Sequence, residues 1–245
     1  MTYCVAVKLD RSLVFMSDTR TNAGIDDIAV VRKMFTWSEP GERVITLMTA
    51  GNLATTQAVV ARLNDRLVAP DERDPSLMQV PTLWEAARLV GKHLKDVVAN
   101  SASGGPVSDT AAFGASIIMG GQIAGMPASL FLIYPEGNFV EAGMETPFFQ
   151  IGETKYGRPI LLRALEADMS AEDAVRLLCV SFDSTLKANL SVGMPLDLHI
   201  YETDSLQDGR MLRIEKGDPQ FEAISDGWGD ALKNALAALP HYPLG

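Results

Sequence analysis

The chain has 245 residues, 47% hydrophobic and 21% charged, enough to bury a sizeable core without disulfides or a metal. Its formal net charge of −10, with Lys and Arg scattered along the chain, repels nucleic acid and anionic membranes, so neither is expected as a partner. No apolar run approaches the ~20 residues of a membrane span, no charged segment precedes an apolar stretch, and Cys4 and Cys179 lie far apart, so a cytoplasmic protein with free thiols is expected.

Residues 2–9 alternate, Asp10-Arg11 can turn and residues 12–16 continue as strand, which predicts an opening hairpin. Asp18 is expected just past it. A loop containing Gly24 precedes residues 28–37, rich in β-branched side chains; Pro40-Gly41 marks a turn and residues 44–48 a fourth strand. Val59, Val60, Leu63 and Leu67 recur at helical spacing up to Pro70. Thr82 and Glu85 form a capping box ahead of Ala86, Leu89, Val90, Leu94 and Val97. After a loop carrying Gly104-Gly105-Pro106, strands are expected over 112–119 and 129–134, with Gly120-Gly121 as a strand-end turn and 135–138 as the next turn. Two helical patterns follow, the second capped by Ser170 and Asp173 with Ala174, Leu178 and Phe182 on its apolar face. Residues 196–201 and 211–215 read as strands, and an amphipathic helix through Phe221, Ile224, Trp228, Leu232, Ala235 and Leu239 closes the chain. Strand runs segregated from helix pairs indicate an α+β protein, two antiparallel sheets stacked between helical layers. With no repeat and no linker, residues 1–245 are expected to form a single domain.

The chemistry concentrates near the N-terminus. Thr2 follows Met1 directly, and a threonine is small enough for an aminopeptidase to remove that methionine. The exposed residue then carries a hydroxyl and a free α-amine, a nucleophile and its base in one side chain and terminus. An α-amine has an ordinary pKa of about 7.7–8.0, so much of it is neutral near pH 7. A nearby ammonium lowers that value further, and Lys33 can supply it. A lysine at the floor of a cleft needs a counter-charge, which Asp18 can supply. Gly51, between a strand and a helix, offers a backbone N–H for an oxyanion.

Thr2, Asp18-Thr19-Arg20 after the second strand, Arg32-Lys33 and Ala50-Gly51 before a helix resemble the N-terminal half of a proteasome β-type subunit. Asp18 lies sixteen residues after Thr2, as in that superfamily; Lys33 lies thirty-one after it, one fewer than in proteasome β subunits and HslV. That shortening, the start Met-Thr-Tyr-Cys-Val-Ala without a propeptide and the extended C-terminal helix resemble the bacterial ancestral β-subunit family, Anbu. The resemblance implies a four-layer αββα sandwich, the N-terminal-nucleophile hydrolase fold. It implies a threonine-type, proteasome-like peptidase that cleaves peptide or amide bonds in peptides or unfolded proteins. Self-assembly into a homo-oligomeric ring or open spiral is implied as well. Thr2 is then the nucleophile, Asp18 and Lys33 tune it, and Gly51 donates to the oxyanion. Arg20 matches an arginine that supports the loop. Ser191-Val192-Gly193 resembles a Ser-Gly-Gly segment that places its serine beside the amine, with Asn189 nearby. Proteasome β subunits carry an aspartate three residues before that serine; this chain has Ala188. Two alternatives stay open: a catalytically silent ring-forming scaffold, and an amidohydrolase acting on a small molecule. Substrate, ring symmetry and any ATPase partner are left unassigned by the sequence.

Other motifs fail on their chemistry. Gly114-Ala115-Ser116-Ile117-Ile118 lacks the final glycine of a nucleophile elbow. His93, His199 and His241 stand apart and neither cysteine has a close partner, so no metal site and no cofactor are expected. His93 reads as a solvated helical histidine.

Overall fold

A computed structural model describes residues 2–22, 28–64, 69–102 and 110–243. Met1, Gly24, Leu67 and the Gly104-Gly105-Pro106 loop lie outside the described residues. The expected hairpin is formed by β1 (Tyr3–Lys8) and β2 (Ser12–Asp18), with Asp18 as the last residue of the second strand. A short pair, β3 (Arg20–Asn22) and β4 (Ile28–Val30), precedes β5 (Met34–Glu39) and β6 (Arg43–Gly51).

Helices α1 (Leu53–Leu63) and α2 (Leu83–Ala102) follow, and the Glu85 amide donates to Thr82 Oγ1 as the capping box requires. Then come β7 (Ala115–Ile123), β8 (Ser129–Ile133), β9 (Phe139–Glu141), β10 (Phe148–Gly152), α3 (Arg158–Ala164) and α4 (Ala171–Ala188). The chain ends on β11 (Leu196–Glu202), β12 (Arg210–Ile214) and α5 (Pro219–Ala238).

The strands make two antiparallel five-stranded sheets, ordered β10-β1-β2-β11-β12 and β5-β6-β7-β8-β9. Side chains alternate across each strand, and both faces of the central strands are buried. In β1, Tyr3, Val5 and Val7 pack with Leu178 and Phe182 of α4, while Cys4 and Ala6 join Met48 and Ile118 of the other sheet. In β6, Ile45 and Leu47 pack with Val59 of α1 and Leu94 of α2. The fold is therefore α+β with helices packed on both sheets. His199 of β11 ties the sheets together: its Nδ1 lies 2.9 Å from Thr46 Oγ1 of β6, and its Nε2 2.8 Å from the Asp208 carbonyl.

Several local expectations change. β3, β9 and β10 were not anticipated, and the strand expected over 28–37 is split into β4 and β5 by residues 31–33. Gly120 and Gly121 lie inside β7 rather than in a turn, because that strand runs on to Ile123. A Cβ on Gly121 would sit 1.9 Å from the Val44 carbonyl oxygen, so only glycine allows β6 and β7 to approach there. His93 is buried rather than solvated, since α2 is covered on the side facing its sheet and on the side facing α1. Burial pushes the imidazoles of both His93 and His199 below their ordinary value.

Candidate active site

Six chain segments converge at one edge of the stacked sheets: residue 2 and the start of β1, the end of β2, residues 31–33, the end of β6, the end of β10, and the turn after α4. Thr2 is half-buried, and its carbonyl accepts the Glu153 amide at 2.7 Å. Asp18 is fully buried at the end of β2, beside β1 in register. Its Oδ1 accepts both the Tyr3 amide (2.9 Å) and Lys33 Nζ (2.6 Å). Its Oδ2 accepts the Gly193 amide at 3.3 Å.

Lys33 is 4% exposed and lies between β4 and β5, not on a strand as a surface lysine would. Its chain there is pinned because its own carbonyl accepts the Thr49 amide of β6 at 3.0 Å. The ammonium also donates to the Arg20 carbonyl at 2.6 Å. One carboxylate oxygen thus holds the Lys33 ammonium and the amide of the residue next to Thr2. Burial pushes the Asp18 carboxyl above its ordinary value, and the Lys33 ammonium and the Tyr3 and Gly193 amides pull against that.

Gly51 ends β6 opposite Ala115, and its exposed position precedes the Asn52 side chain that caps α1. Arg20 begins β3, and a Cβ on Gly193 would meet its Cδ at 2.5 Å, so the arginine stem packs flat on the 191–193 turn. Asn189 is the C-cap of α4; its Nδ2 donates to Glu153 Oε2 at 2.9 Å, and its Oδ1 accepts the Ser191 amide at 2.9 Å. Ala188 is exposed and contributes no polar group. The structure thus brings Thr2, Asp18, Lys33, Arg20, Asn189 and Ser191 into one neighbourhood, which β6 reaches through the Thr49 amide, two residues before Gly51.

Two residues at this edge were not legible beforehand, Gly152 and Glu153. Gly152 has φ +82°, and a Cβ there would sit 1.9 Å from the Thr2 carbonyl oxygen. Only glycine lets β10 close on Thr2. The run Phe148-Phe149-Gln150-Ile151 before this glycine is too short to mark a strand by itself. The site has no cluster of side chains suited to a metal among the described residues.

Neither a family model nor a curated protein matches the chain. Solved structures do. Anbu (ancestral beta-subunit) from Yersinia bercovieri is 44% identical over 99% of this chain and 100% of that one, with a TM-score of 0.89. An Anbu (Gly-1) mutant from Hyphomicrobium sp. strain MC1 is 46% identical over all of both chains, at 0.91. The Anbu complex from Pseudomonas aeruginosa, solved as a helical assembly, is 47% identical over 99% of this chain and 98% of that one, at 0.90.

Proposed function

The chain belongs to the Anbu (ancestral β-subunit) family, and from that premise we propose that it is a threonine-type N-terminal-nucleophile hydrolase that cleaves peptide or amide bonds. The observation that carries this reading is the shared oxygen of Asp18, which holds a buried Lys33 ammonium one residue from Thr2. A scaffold has no need of that arrangement, because a buried ion pair contributes little to stability over an apolar replacement.

Removal of Met1 exposes the Thr2 amine. The Lys33 ammonium disfavours a second positive charge beside it, so the amine stays neutral and basic. The Thr2 hydroxyl attacks the substrate carbonyl and its proton passes to the amine. The oxyanion takes the N–H at Gly51. Collapse of the tetrahedral intermediate breaks the amide bond, the amine returns its proton to the leaving nitrogen, and an ester on Thr2 remains. A water, deprotonated by the same amine, then hydrolyses the ester. Asp18 holds the Lys33 side chain in place throughout. The steps require no cofactor.

The helices packed on the outer faces of the two sheets are read as the αββα sandwich of such hydrolases, one catalytic domain over residues 1–245, working in the cytoplasm on peptides or unfolded chains. Self-assembly into a ring or open spiral belongs to the same reading. The N-terminal half of α5 is anchored by Phe221 and by the Lys187–Ser225–Asp183 hydrogen bonds. Its far end leaves Leu236 and Leu239 at 72% and 62% exposure, apolar surface suited to a neighbouring subunit. A silent scaffold is the second reading, favoured by the missing acidic group at Ala188.

Intact-mass measurement after treatment with a β-lactone, which acylates an activated hydroxyl, separates the two. The hydrolase reading expects a chain without Met1 and one adduct, lost in Thr2→Ala. A chain that lacks Met1 yet takes no adduct at Thr2 favours the scaffold.

A further inference from the structure

We propose that Glu153 is a positioning residue of this site, holding Asn189, and through it Ser191, against the Thr2 amine. The inference rests on the N-terminal-nucleophile reading above. Its basis is a closed circuit of hydrogen bonds around Thr2. The Glu153 amide donates to the Thr2 carbonyl (2.7 Å). Its carboxylate Oε2 accepts Asn189 Nδ2 (2.9 Å), and Asn189 Oδ1 accepts the Ser191 amide (2.9 Å). Two residues on, the Gly193 amide donates to Asp18 Oδ2 (3.3 Å), and Asp18 Oδ1 accepts the amide of Tyr3, which follows Thr2 (2.9 Å). The circuit therefore starts and ends on the nucleophile's own main chain.

The orientation of Asn189 shows what Glu153 contributes. The Ser191 amide is a donor, so the Asn189 oxygen must face it, and the NH2 group must face Glu153. That NH2 needs an acceptor, and Ala188 offers none. Glu153 is 6% exposed, and among the described residues its other carboxylate oxygen receives only the Lys155 amide at 3.4 Å. Among the described residues the carboxylate has no ion-pair partner. It serves the relay as an acceptor. Removing it frees the Asn189 side chain, and with it the one bond that fixes the Ser191 amide.

The test compares β-lactone acylation of Thr2 and hydrogen exchange of the 189–193 amides in the full-length processed protein. Glu153→Ala should lower the maximal acylation rate about ten- to a hundredfold, as expected for a misplaced reacting group, with little change in lactone affinity. It should also speed exchange at Ser191. Glu153→Gln, whose carbonyl still accepts from Asn189, should stay within about threefold of wild type on both readouts. Asn189→Ala should match Glu153→Ala, and the double variant should cost no more than either alone.

Losses that multiply, an unchanged maximal rate in Glu153→Ala, or unchanged Ser191 exchange each overturn the relay. If Glu153→Ala does not fold, Asn189→Ala and Glu153→Gln carry the same comparison. A wild-type protein that the lactone leaves unlabelled overturns the hydrolase reading instead, and the exchange data then decide the relay by themselves.

Discussion

Replacing Lys33 by methionine keeps the length of the side chain and removes its charge. Asp18 stays fully buried with two backbone amides but without its cation. Removing one partner of a buried ion pair costs about 3–5 kcal/mol, because the other charge is left uncompensated. A chain of this size moves about 2–4 °C in Tm per kcal/mol, so Lys33→Met should melt about 6–20 °C below wild type. The deficit should depend on pH. Burial already raises the Asp18 carboxyl and the ammonium opposes that, so losing the ammonium lifts the folded value further above the unfolded one. A raised folded value gives stability that is present below the unfolded pKa and lost as pH rises through the folded one. The difference between variant and wild type is therefore largest near neutral pH and narrows on acidification. Adding Asp18→Asn removes the stranded charge while an amide oxygen still accepts the Tyr3 amide, so the double variant should recover part of the loss. Thermal melts by circular dichroism at neutral and acidic pH read all of this. A Lys33→Met protein within 3 °C of wild type, or a double variant no more stable than the single one, would refute the argument.

Gly152→Ala should abolish Thr2 acylation and lower Tm, because the new Cβ collides with the Thr2 carbonyl at a left-handed φ that costs about 1–2 kcal/mol for any L-residue; intact mass and melting check both. The buried imidazoles of His93 and His199 titrate below their unfolded value, so their stability contribution is present above the unfolded pKa and lost as pH falls through the folded one. Urea midpoints should drop on acidification below about pH 6.5, and His199→Gln, which can still donate to the Asp208 carbonyl, should flatten that slope. Burial raises both thiols, Cys179 to about 12, so neither should react with a disulfide reagent at pH 8 until the chain is unfolded.

The opening hairpin was legible because its two short, nearly continuous apolar runs match strands buried on both faces, and the capping boxes at Thr82 and Ser170 because their signals are local. β10 was not, although it pairs with residues 3–7 of β1: five residues give too short a pattern, and its partner lies far earlier in the chain. Gly120 and Gly121 were misassigned for a similar reason. What demands glycine at 121 is the backbone of β6, and what crowds 120 is Leu130 and Phe15, none of which the local sequence contains. At the site, Thr2, Asp18 and Lys33 could be picked out because a hydroxyl, a carboxylate and an ammonium stand close to the N-terminus. Glu153 could not, since its role depends on Asn189, thirty-six residues away, and on a carbonyl of Thr2 that any residue would present.

The geometry also bears on how the nucleophile would be generated. The peptide group that follows Thr2 is fixed at both its polar atoms: its carbonyl takes the Glu153 amide, and its N–H is taken by Asp18. Removing Met1 breaks a bond just before these two anchors and disturbs neither. On the proposed reading the new amine would emerge on a residue whose carbonyl is held by β10 and whose following amide is held by the end of β2, with the Lys33 ammonium already buried on that same Asp18. Conformational entropy that a free chain end would otherwise keep has been removed by folding, not by the substrate. For the same reason the site tolerates no change in the spacing between Thr2 and Tyr3. A one-residue insertion there would leave β1 in register with β10 and carry Thr2 one position outward, away from the Glu153 amide that holds its carbonyl.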